Sequence, residues 1–118
     1  MKKKILVIED DQAIVEVVTI ILESEGYAVD VATEINNIDN HLKEGPPHMI
    51  LLDIWLGGND GGMLAKTLKS TPETKHIPIV IMSASNEAQE IARAAGVDGV
   101  LLKPFTIDDL LQLVKQHT

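Results

Sequence analysis

The chain contains no cysteine and very few aromatic residues. The absence of cysteine excludes disulfide bridges and thiolate metal sites. Phenylalanine, tyrosine and tryptophan together make up only 3% of the 118 residues, so a core has to be built from aliphatic side chains. The hydrophobic share of 45% and the charged share of 24% are ordinary for a globular protein. The sequence therefore predicts one folded domain over residues 1–118 with an aliphatic core.

Long hydrophobic runs and an excess of positive charge are also missing. The lysines at positions 2–4 precede only four apolar residues, Ile5–Ile8, before Glu9 interrupts the run. That run is too short for a signal peptide or a transmembrane helix. The net charge of −8 argues against nucleic acid or an anionic membrane as a direct partner. We expect a cytoplasmic protein without a membrane partner.

Short apolar runs alternate along the chain with stretches of helical periodicity. The predicted strands are Ile5–Ile8, Tyr27–Ala32, Met49–Leu52, Ile79–Met82 and Val100–Leu102. The predicted helices are Gln12–Glu25, Asn36–Lys43, Met63–Lys69, Glu87–Ala95 and a last helix that Thr106 opens in a capping box with Asp109. Gly26 and Gly96 are placed to end two helices, and the glycines of residues 57–62 predict a loop. This alternation predicts an α/β fold with a doubly wound, five-stranded parallel sheet.

Polar side chains follow most of the predicted strands. Glu9 and Asp10 follow the first strand, Asp53 the third, Ser83 the fourth and Lys103 the fifth. Ligands of such sheets bind at the carboxyl ends of the strands, where these residues meet. Crowded carboxylates repel one another, and a bound Mg²⁺ removes that conflict. Together with a hydroxyl and a lysine, they indicate phosphoryl transfer to an aspartate.

The sequence resembles the receiver domain of two-component response regulators along its whole length. The stretches that carry the resemblance are Ile5–Asp11, Ile50–Asp53, Asn59–Gly61, Ile77–Ala84 and Leu101–Phe105. Each stretch is weak evidence alone, but their order and spacing together are specific. The resemblance implies a flavodoxin-like (βα)5 fold with strand order 2-1-3-4-5.

The resemblance also implies a role for the acidic residues. Asp53 matches the phosphoacceptor, which also binds the Mg²⁺. Asp10 matches the direct acidic ligand of the Mg²⁺, and Glu9 matches its neighbour, which usually binds through water. The backbone carbonyl of Trp55 matches the third protein ligand.

Further positions match residues that respond to the phosphoryl group. Ser83 matches the hydroxyl residue that follows the phosphoryl group, and Ala84 the small residue that leaves room for it. Lys103 matches the phosphate-binding lysine, and its bond to Pro104 is usually cis in the family. Trp55 and Ser85 match the two positions that tune the lifetime of the phosphate, and we hypothesise that the bulk of Trp55 hinders attacking water.

Two positions depart from the family pattern. Gly57 stands where the family favours proline, which predicts a more flexible loop. Val100 stands where the family usually has tyrosine or phenylalanine. In many relatives that aromatic side chain turns inward when the hydroxyl residue moves, and valine cannot make this movement.

The resemblance implies partners on two surfaces. A sensor histidine kinase or a histidine phosphotransfer protein supplies the phosphoryl group and docks near the first helix. A downstream protein target contacts the face formed by the fourth helix, the fifth strand and the fifth helix. Because Thr118 directly follows the last helix, we expect either a stand-alone receiver or a piece of a larger regulator or hybrid kinase.

Several polar residues have alternative interpretations. Asp11 suits a helix cap better than a metal ligand. Asp60 suits a structural role in a glycine-rich turn about as well as a place in the site. The four histidines share no ligand spacing and are interpreted as surface or loop residues: His41, His48, His76 and His117.

Three rival functions are weighed against a phosphorylation switch. Haloacid-dehalogenase-like phosphohydrolases need a second aspartate where this chain has Trp55, so slow self-hydrolysis is expected rather than turnover by an enzyme. A nucleotide site would need a glycine-rich loop after the first strand, which is missing. A docking module that works without phosphorylation remains the alternative, with modest support from Val100.

Overall fold

A computed structural model describes residues 2–34, 38–56 and 59–118 of the chain, with the backbone but not the side chains of residues 55, 56 and 59. Its central feature is a parallel sheet in the order β2-β1-β3-β6-β7. These strands are β1 (Lys4–Ile8), β2 (Ala28–Ala32), β3 (Met49–Asp53), β6 (Ile79–Ser83) and β7 (Gly99–Leu102). The order confirms the predicted flavodoxin-like, doubly wound arrangement.

A small antiparallel pair, β4 (Trp55–Leu56) and β5 (Asn59–Asp60), follows β3. The helices are α1 (Gln12–Ser24), α2 (Ile38–Lys43), α3 (Gly61–Ser70), α4 (Ala88–Ala95) and α5 (Ile107–His117). The predicted helix from residue 36 begins at Ile38 in the described part of the chain, since residues 36 and 37 lie outside it.

Two aliphatic cores lie on opposite faces of the sheet. One core joins alternate strand residues such as Ile5 and Val7 to Val18 of α1 and Leu110 of α5. The other joins the intervening strand residues to side chains of α2, α3 and α4. Because helices cover both faces, every residue of β3 and β6 is buried, which explains the continuous apolar runs in the sequence.

Local signals in the sequence set several of the helix ends. The Asp11 carboxylate accepts hydrogen bonds from the backbone N–H groups of Ala13 and Ile14, so Asp11 caps α1. Thr106 and Asp109 form the predicted capping box at the start of α5. Gly96 ends α4 in the left-handed conformation, with φ of 76°.

The prediction of a loop over residues 57–62 was wrong at its carboxyl end. Residues 57 and 58 lie outside the described part of the chain, but Asn59 and Asp60 form a strand. Gly61 and Gly62 begin α3, two residues before the predicted start at Met63. Gly61 reflects close packing against the backbone rather than an irregular loop.

Within the described residues, no helix combines the length and the apolar character needed to cross a membrane.

Candidate functional site

Three carboxylates come together at the carboxyl edge of the sheet. Glu9 and Asp10 follow β1, and Asp53 ends the neighbouring β3, with Ile8 opposite Leu52 in the register. One carboxylate oxygen from each of the three acids lies within 4.8 Å of the other two. In the part of the chain that the structure describes, this is the one group of three potential metal ligands. The prediction that the fold gathers these acids is confirmed.

Lys103 brings a positive charge to the same cluster. It follows β7, and its Nζ atom lies 3.5 Å from Oδ1 of Asp53 and 3.7 Å from Oε1 of Glu9. Its side chain is 20% exposed, whereas the side chain of Glu9 is 1% exposed. Lys103 therefore partly offsets the repulsion between two carboxylates that are largely removed from water.

Burial changes the acidity of Glu9 markedly. Its pKa is raised from 4.5 to about 7, chiefly by burial and then by a hydrogen bond to Asp53 and repulsion from the Asp53 charge. The charge of Lys103 and the backbone N–H of Asp11 oppose this rise. The charge of Lys103 alone therefore does not return the pKa of Glu9 to its ordinary value, and additional positive charge nearby would lower it further.

The acidic cluster fits a hard divalent cation. Oε2 of Glu9 is buried and has no hydrogen-bond partner within the described structure. A buried carboxylate oxygen without a partner is costly, and a cation bound beside it would satisfy it. All three side chains offer oxygen ligands, which suit Mg²⁺ rather than softer metals.

The strand register places Ser83 beside the acids. Asp53 pairs with Met82 across β3 and β6, so Ser83 ends β6 one residue beyond that pair. Ser83 is buried, and its hydroxyl accepts a hydrogen bond of 2.9 Å from the backbone N–H of Ser85. The backbone N–H of Lys103 donates to the Ser83 carbonyl at 2.8 Å, which ties the ends of β6 and β7 together.

An apolar cavity of about 470 Å³ opens next to the cluster. Its lining includes Lys103, Phe105 and the exposed Ala84 together with residues of α1: Ala13, Ile14 and Val17. The peptide bond between Lys103 and Pro104 is cis, as the resemblance implied. The loop after β7 and the first helix therefore line one cavity, which adjoins the acidic cluster through Lys103.

The remaining predicted positions are less completely defined. The backbone of Trp55 lies in β4, two residues after Asp53, while its side chain and Gly57 lie outside the described structure. Val100 is partly buried in β7 and packs against the core on the side of α4. It also lines a groove between α4 and α5.

Asp60 and the histidines do not belong to the group of potential metal ligands. Asp60 is exposed and caps α3 through the backbone N–H groups of Gly62 and Met63, so it stands apart from the acidic cluster. His48 and His76 are exposed, and His41 pairs with Asp30. The histidines therefore lie outside the group of potential metal ligands.

Gly61 is a site residue whose role the sequence did not reveal. A Cβ atom at this position would lie 2.4 Å from the carbonyl oxygen of Asp53 and 2.6 Å from that of Ile54. The Gly61 N–H also donates to the Ile54 carbonyl. Glycine is required because α3 starts in direct contact with the backbone that carries Asp53. The stretch Asn59–Gly61 was part of the resemblance, but composition alone suggested a loop.

The fold and the site together define a flavodoxin-like α/β domain with an acidic pocket at the carboxyl edge of its sheet. The family model of the response regulator receiver domain matches residues 5–115. The chain therefore belongs to the family of receiver domains of two-component response regulators, which are signalling domains.

Individual relatives agree with this assignment. The chain is 35% identical over 117 residues to the phosphate regulon transcriptional regulatory protein PhoB of Rhizobium meliloti, covering 98% of this chain and 52% of PhoB. It therefore spans about half the length of that relative. A crystal structure of a putative response regulator from Chloroflexus aurantiacus matches with a TM-score of 0.92 and 27% identity, covering 98% of this chain and 97% of that one. The chemotaxis protein CheY4 of Vibrio cholerae, at 23% identity, matches over the full length of both chains with a TM-score of 0.90 and shows the common fold.

Proposed function

We propose that residues 1–118 act as a single receiver domain that takes a phosphoryl group onto Asp53 in a Mg²⁺-dependent reaction. The observation that carries this proposal is the cluster of Glu9, Asp10 and Asp53, with carboxylate oxygens within 4.8 Å of one another and Lys103 beside them. An aspartate in such surroundings can act as a nucleophile toward phosphorus.

Each residue has a defined part in the proposed transfer. An oxygen of the Asp53 carboxylate attacks the phosphorus atom in line, and the bond from phosphorus to the donor histidine nitrogen breaks. The products are an aspartyl phosphate and a histidine whose leaving nitrogen keeps the electron pair of the broken bond. This histidine is neutral because its other ring nitrogen carries a proton. The Lys103 ammonium group and the Ser83 hydroxyl neutralise and hydrogen-bond the phosphoryl oxygens.

The carboxylates of Asp10 and Asp53, the Trp55 carbonyl and, through water, Glu9 would hold the Mg²⁺. The bound ion supplies positive charge that neutralises the transferred oxygens. Later attack by water on the aspartyl phosphate returns Asp53 to its starting state. The protein is therefore a stoichiometric carrier that catalyses its own modification, and it does not turn over a substrate.

The surface around the apolar cavity next to the acidic cluster supports a protein phosphodonor. Val17, which lines this cavity together with Lys103 and Phe105, is 51% exposed, and Ile20, three residues further along α1, is 67% exposed. Exposed apolar side chains beside a reactive group are typical of a protein-binding surface. We infer that a sensor histidine kinase or a histidine phosphotransfer protein docks here and presents its phosphohistidine to Asp53.

A second groove, which shares Pro104 with the apolar cavity, supports a second protein partner. The groove of about 360 Å³ between α4, β7 and α5 includes Gln89, Val100 and Leu113, and Leu102 is 52% exposed at its edge. We propose that a downstream protein target binds this face. The relative PhoB is called a transcriptional regulatory protein. Because this domain is acidic, we propose that it contacts proteins rather than nucleic acid directly. We also propose that it acts in the cytoplasm.

Intact-mass measurement after incubation with acetyl phosphate and Mg²⁺ tests the proposal. We expect the unmodified protein to gain one phosphoryl group, and we expect EDTA to prevent the gain. Asp53→Asn should gain none, whereas Asp60→Asn, a change at an exposed helix cap, should react like the parent. If the parent stays unmodified, a histidine-kinase donor is tried next. Failure with both donors would leave the docking module that works without phosphorylation.

A further inference from the structure

A chain of hydrogen bonds leads from the acidic cluster to α4. The Ser83 hydroxyl accepts from the backbone N–H of Ser85 at 2.9 Å. The Ser85 hydroxyl accepts in turn from the backbone N–H of Glu87 at 3.0 Å. Each link spans two residues, so the segment from the end of β6 to the start of α4 is held by two successive serine hydroxyls.

The two ends of this connection differ in how firmly they are held. Ser83 is buried in the sheet beside Asp53, whereas α4 is a short helix of eight residues. The first N–H groups of a helix need partners outside the helix. Within the described residues, the Glu87 side chain does not cap α4. Ser85 takes over this task through its hydroxyl and through its carbonyl, which accepts from Ala88 N–H at 3.3 Å.

The first turn of α4 borders the groove between α4, β7 and α5. Gln89 lies in this turn and lines the groove together with Val100 and Leu102 of β7. A displacement of the first turn therefore changes the position of Gln89 over β7 and with it the shape of the groove.

We propose that Ser85 couples the position of the Ser83 hydroxyl to the position of the first turn of α4. This inference rests on the proposed function, in which the Ser83 hydroxyl donates its hydrogen to a phosphoryl oxygen. Hydrogen bonds weaken steeply as their angle departs from linear. When the Ser83 hydroxyl turns toward Asp53, the Ser85 N–H therefore either moves with it or loses this hydrogen bond. Through its hydroxyl, Ser85 passes that displacement to the backbone of Glu87. The first turn of α4 then moves, and the groove opens or closes.

The test compares the backbone amide resonances of Asp53, Lys103, Glu87, Gln89 and Val100 with and without beryllofluoride and Mg²⁺, a mimic of the phosphoryl group. In the parent protein we expect changes at Asp53 and Lys103 and also at Glu87, Gln89 and Val100. At saturating beryllofluoride, Ser85→Ala should keep the changes at Asp53 and Lys103, while those at Glu87 and Gln89 fall at least twofold.

A matched pair of variants isolates the hydroxyl. Ser85→Thr keeps it and should retain the response of α4, whereas Ser85→Val has nearly the same shape without it and should behave like Ser85→Ala. Ser70→Ala removes another exposed hydroxyl that bonds to backbone, at the end of α3, and should respond like the parent.

The outcomes separate the coupling from the function on which it depends. A full response of Glu87 and Gln89 in both Ser85→Ala and Ser85→Val overturns the coupling and leaves the phosphoacceptor assignment intact. Loss of the response in Ser85→Thr as well also overturns it, since the effect is then one of shape. If the parent shows no change even at Asp53 and Lys103, the proposed function fails and the coupling fails with it.

Discussion

The ammonium group of Lys103 lies 3.5 Å from the carboxylate of Asp53, although Asp53 ends β3, Lys103 follows β7, and β6 separates these strands. The same ammonium group lies 3.7 Å from Glu9. The Lys103 ammonium group therefore interacts with two carboxylates. It also lies close to where the negative charge of a phosphorylated Asp53 would be.

Replacing Lys103 with glutamine should slow phosphorylation strongly. Lys103→Gln keeps most of the length of the side chain but loses its charge, so the transition state loses a preorganised electrostatic partner. We expect the rate of modification by acetyl phosphate, followed by intact mass, to fall roughly 100-fold.

Lys69→Gln is the matched control for this change. Lys69 pairs with Asp98 at 3.1 Å, but it lies at the end of α3, next to the start of β6 rather than its carboxyl end. Its loss should leave the rate unchanged. Equal rates for Lys103→Gln and the parent would contradict the electrostatic role of Lys103.

The raised pKa of Glu9 predicts how stability depends on pH in the absence of metal. Between about pH 4.5 and pH 7 the folded protein keeps the Glu9 proton, which the unfolded chain has released. The free energy of unfolding therefore falls as the pH rises through this window and is lowest above it. At about 1.4 kcal/mol per pKa unit, the rise from 4.5 to about 7 contributes roughly 3 kcal/mol. Urea unfolding in EDTA at several pH values measures it.

Glu9→Gln provides the comparison that isolates this contribution. Other carboxylates also titrate in the acidic range, so the informative quantity is the difference between parent and variant. The advantage of the parent over Glu9→Gln should shrink as the pH rises from about 4.5 to 7. Parallel curves would show that Glu9 titrates normally.

Because Mg²⁺ must displace the Glu9 proton, the affinity of the parent protein for Mg²⁺ should rise with pH up to about 7.

Gly61→Ala should disturb the site through the backbone. The new methyl group would lie 2.4 Å from the Asp53 carbonyl oxygen, a distance that the structure can relieve only by moving α3 or the end of β3. We expect a loss of about 2 kcal/mol in the free energy of unfolding, together with slower phosphorylation. Chemical denaturation and intact mass measure the two effects.

Gly62→Ala is the neighbouring control in the same helical turn. A methyl group there meets side-chain atoms rather than backbone, Cγ2 of Ile91 at 3.0 Å and the capping Oδ1 of Asp60 at 3.1 Å, and shifts of a few tenths of an ångström relieve these contacts. We expect a change of less than about 1 kcal/mol, since alanine also favours the helix over glycine. Similar losses at both positions would argue against a specific contact between Gly61 and the backbone of Asp53.

Two substitutions at Asp11 distinguish its capping role from a role as a metal ligand. Both Asp11→Ala and Asp11→Asn remove the charge, but only Asn preserves the cap on the N–H groups of Ala13 and Ile14. We expect Asp11→Ala to lose about 1 kcal/mol of stability and Asp11→Asn to lose little. Neither should reduce the Mg²⁺ affinity as strongly as Asp10→Asn, and equal losses in affinity would identify Asp11 as a ligand.

The alternation of strands and helices was predictable because it depends on local periodicity. Fully buried strands such as β3 and β6 need continuous apolar runs, and amphipathic helices need apolar residues at helical spacing. The ends of elements were less certain. The start of α3 was misplaced because the glycines at 61 and 62 have the composition of a loop, although Gly61 is required by a contact with residues seven and eight positions earlier.

The sequence by itself determined the class of fold and the chemical groups of the candidate site. Strand ends are local features of a sequence, and parallel strands bring their carboxyl ends to one edge, so Glu9, Asp10, Asp53, Ser83 and Lys103 could be assigned together. Only the tertiary structure decided the distances between them, the burial that raises the pKa of Glu9, and the contact of Gly61 with the backbone of Asp53. The physical reason is that solvent exclusion, charge interactions and close backbone contacts depend on which distant segments pack together, and local sequence patterns do not contain that information.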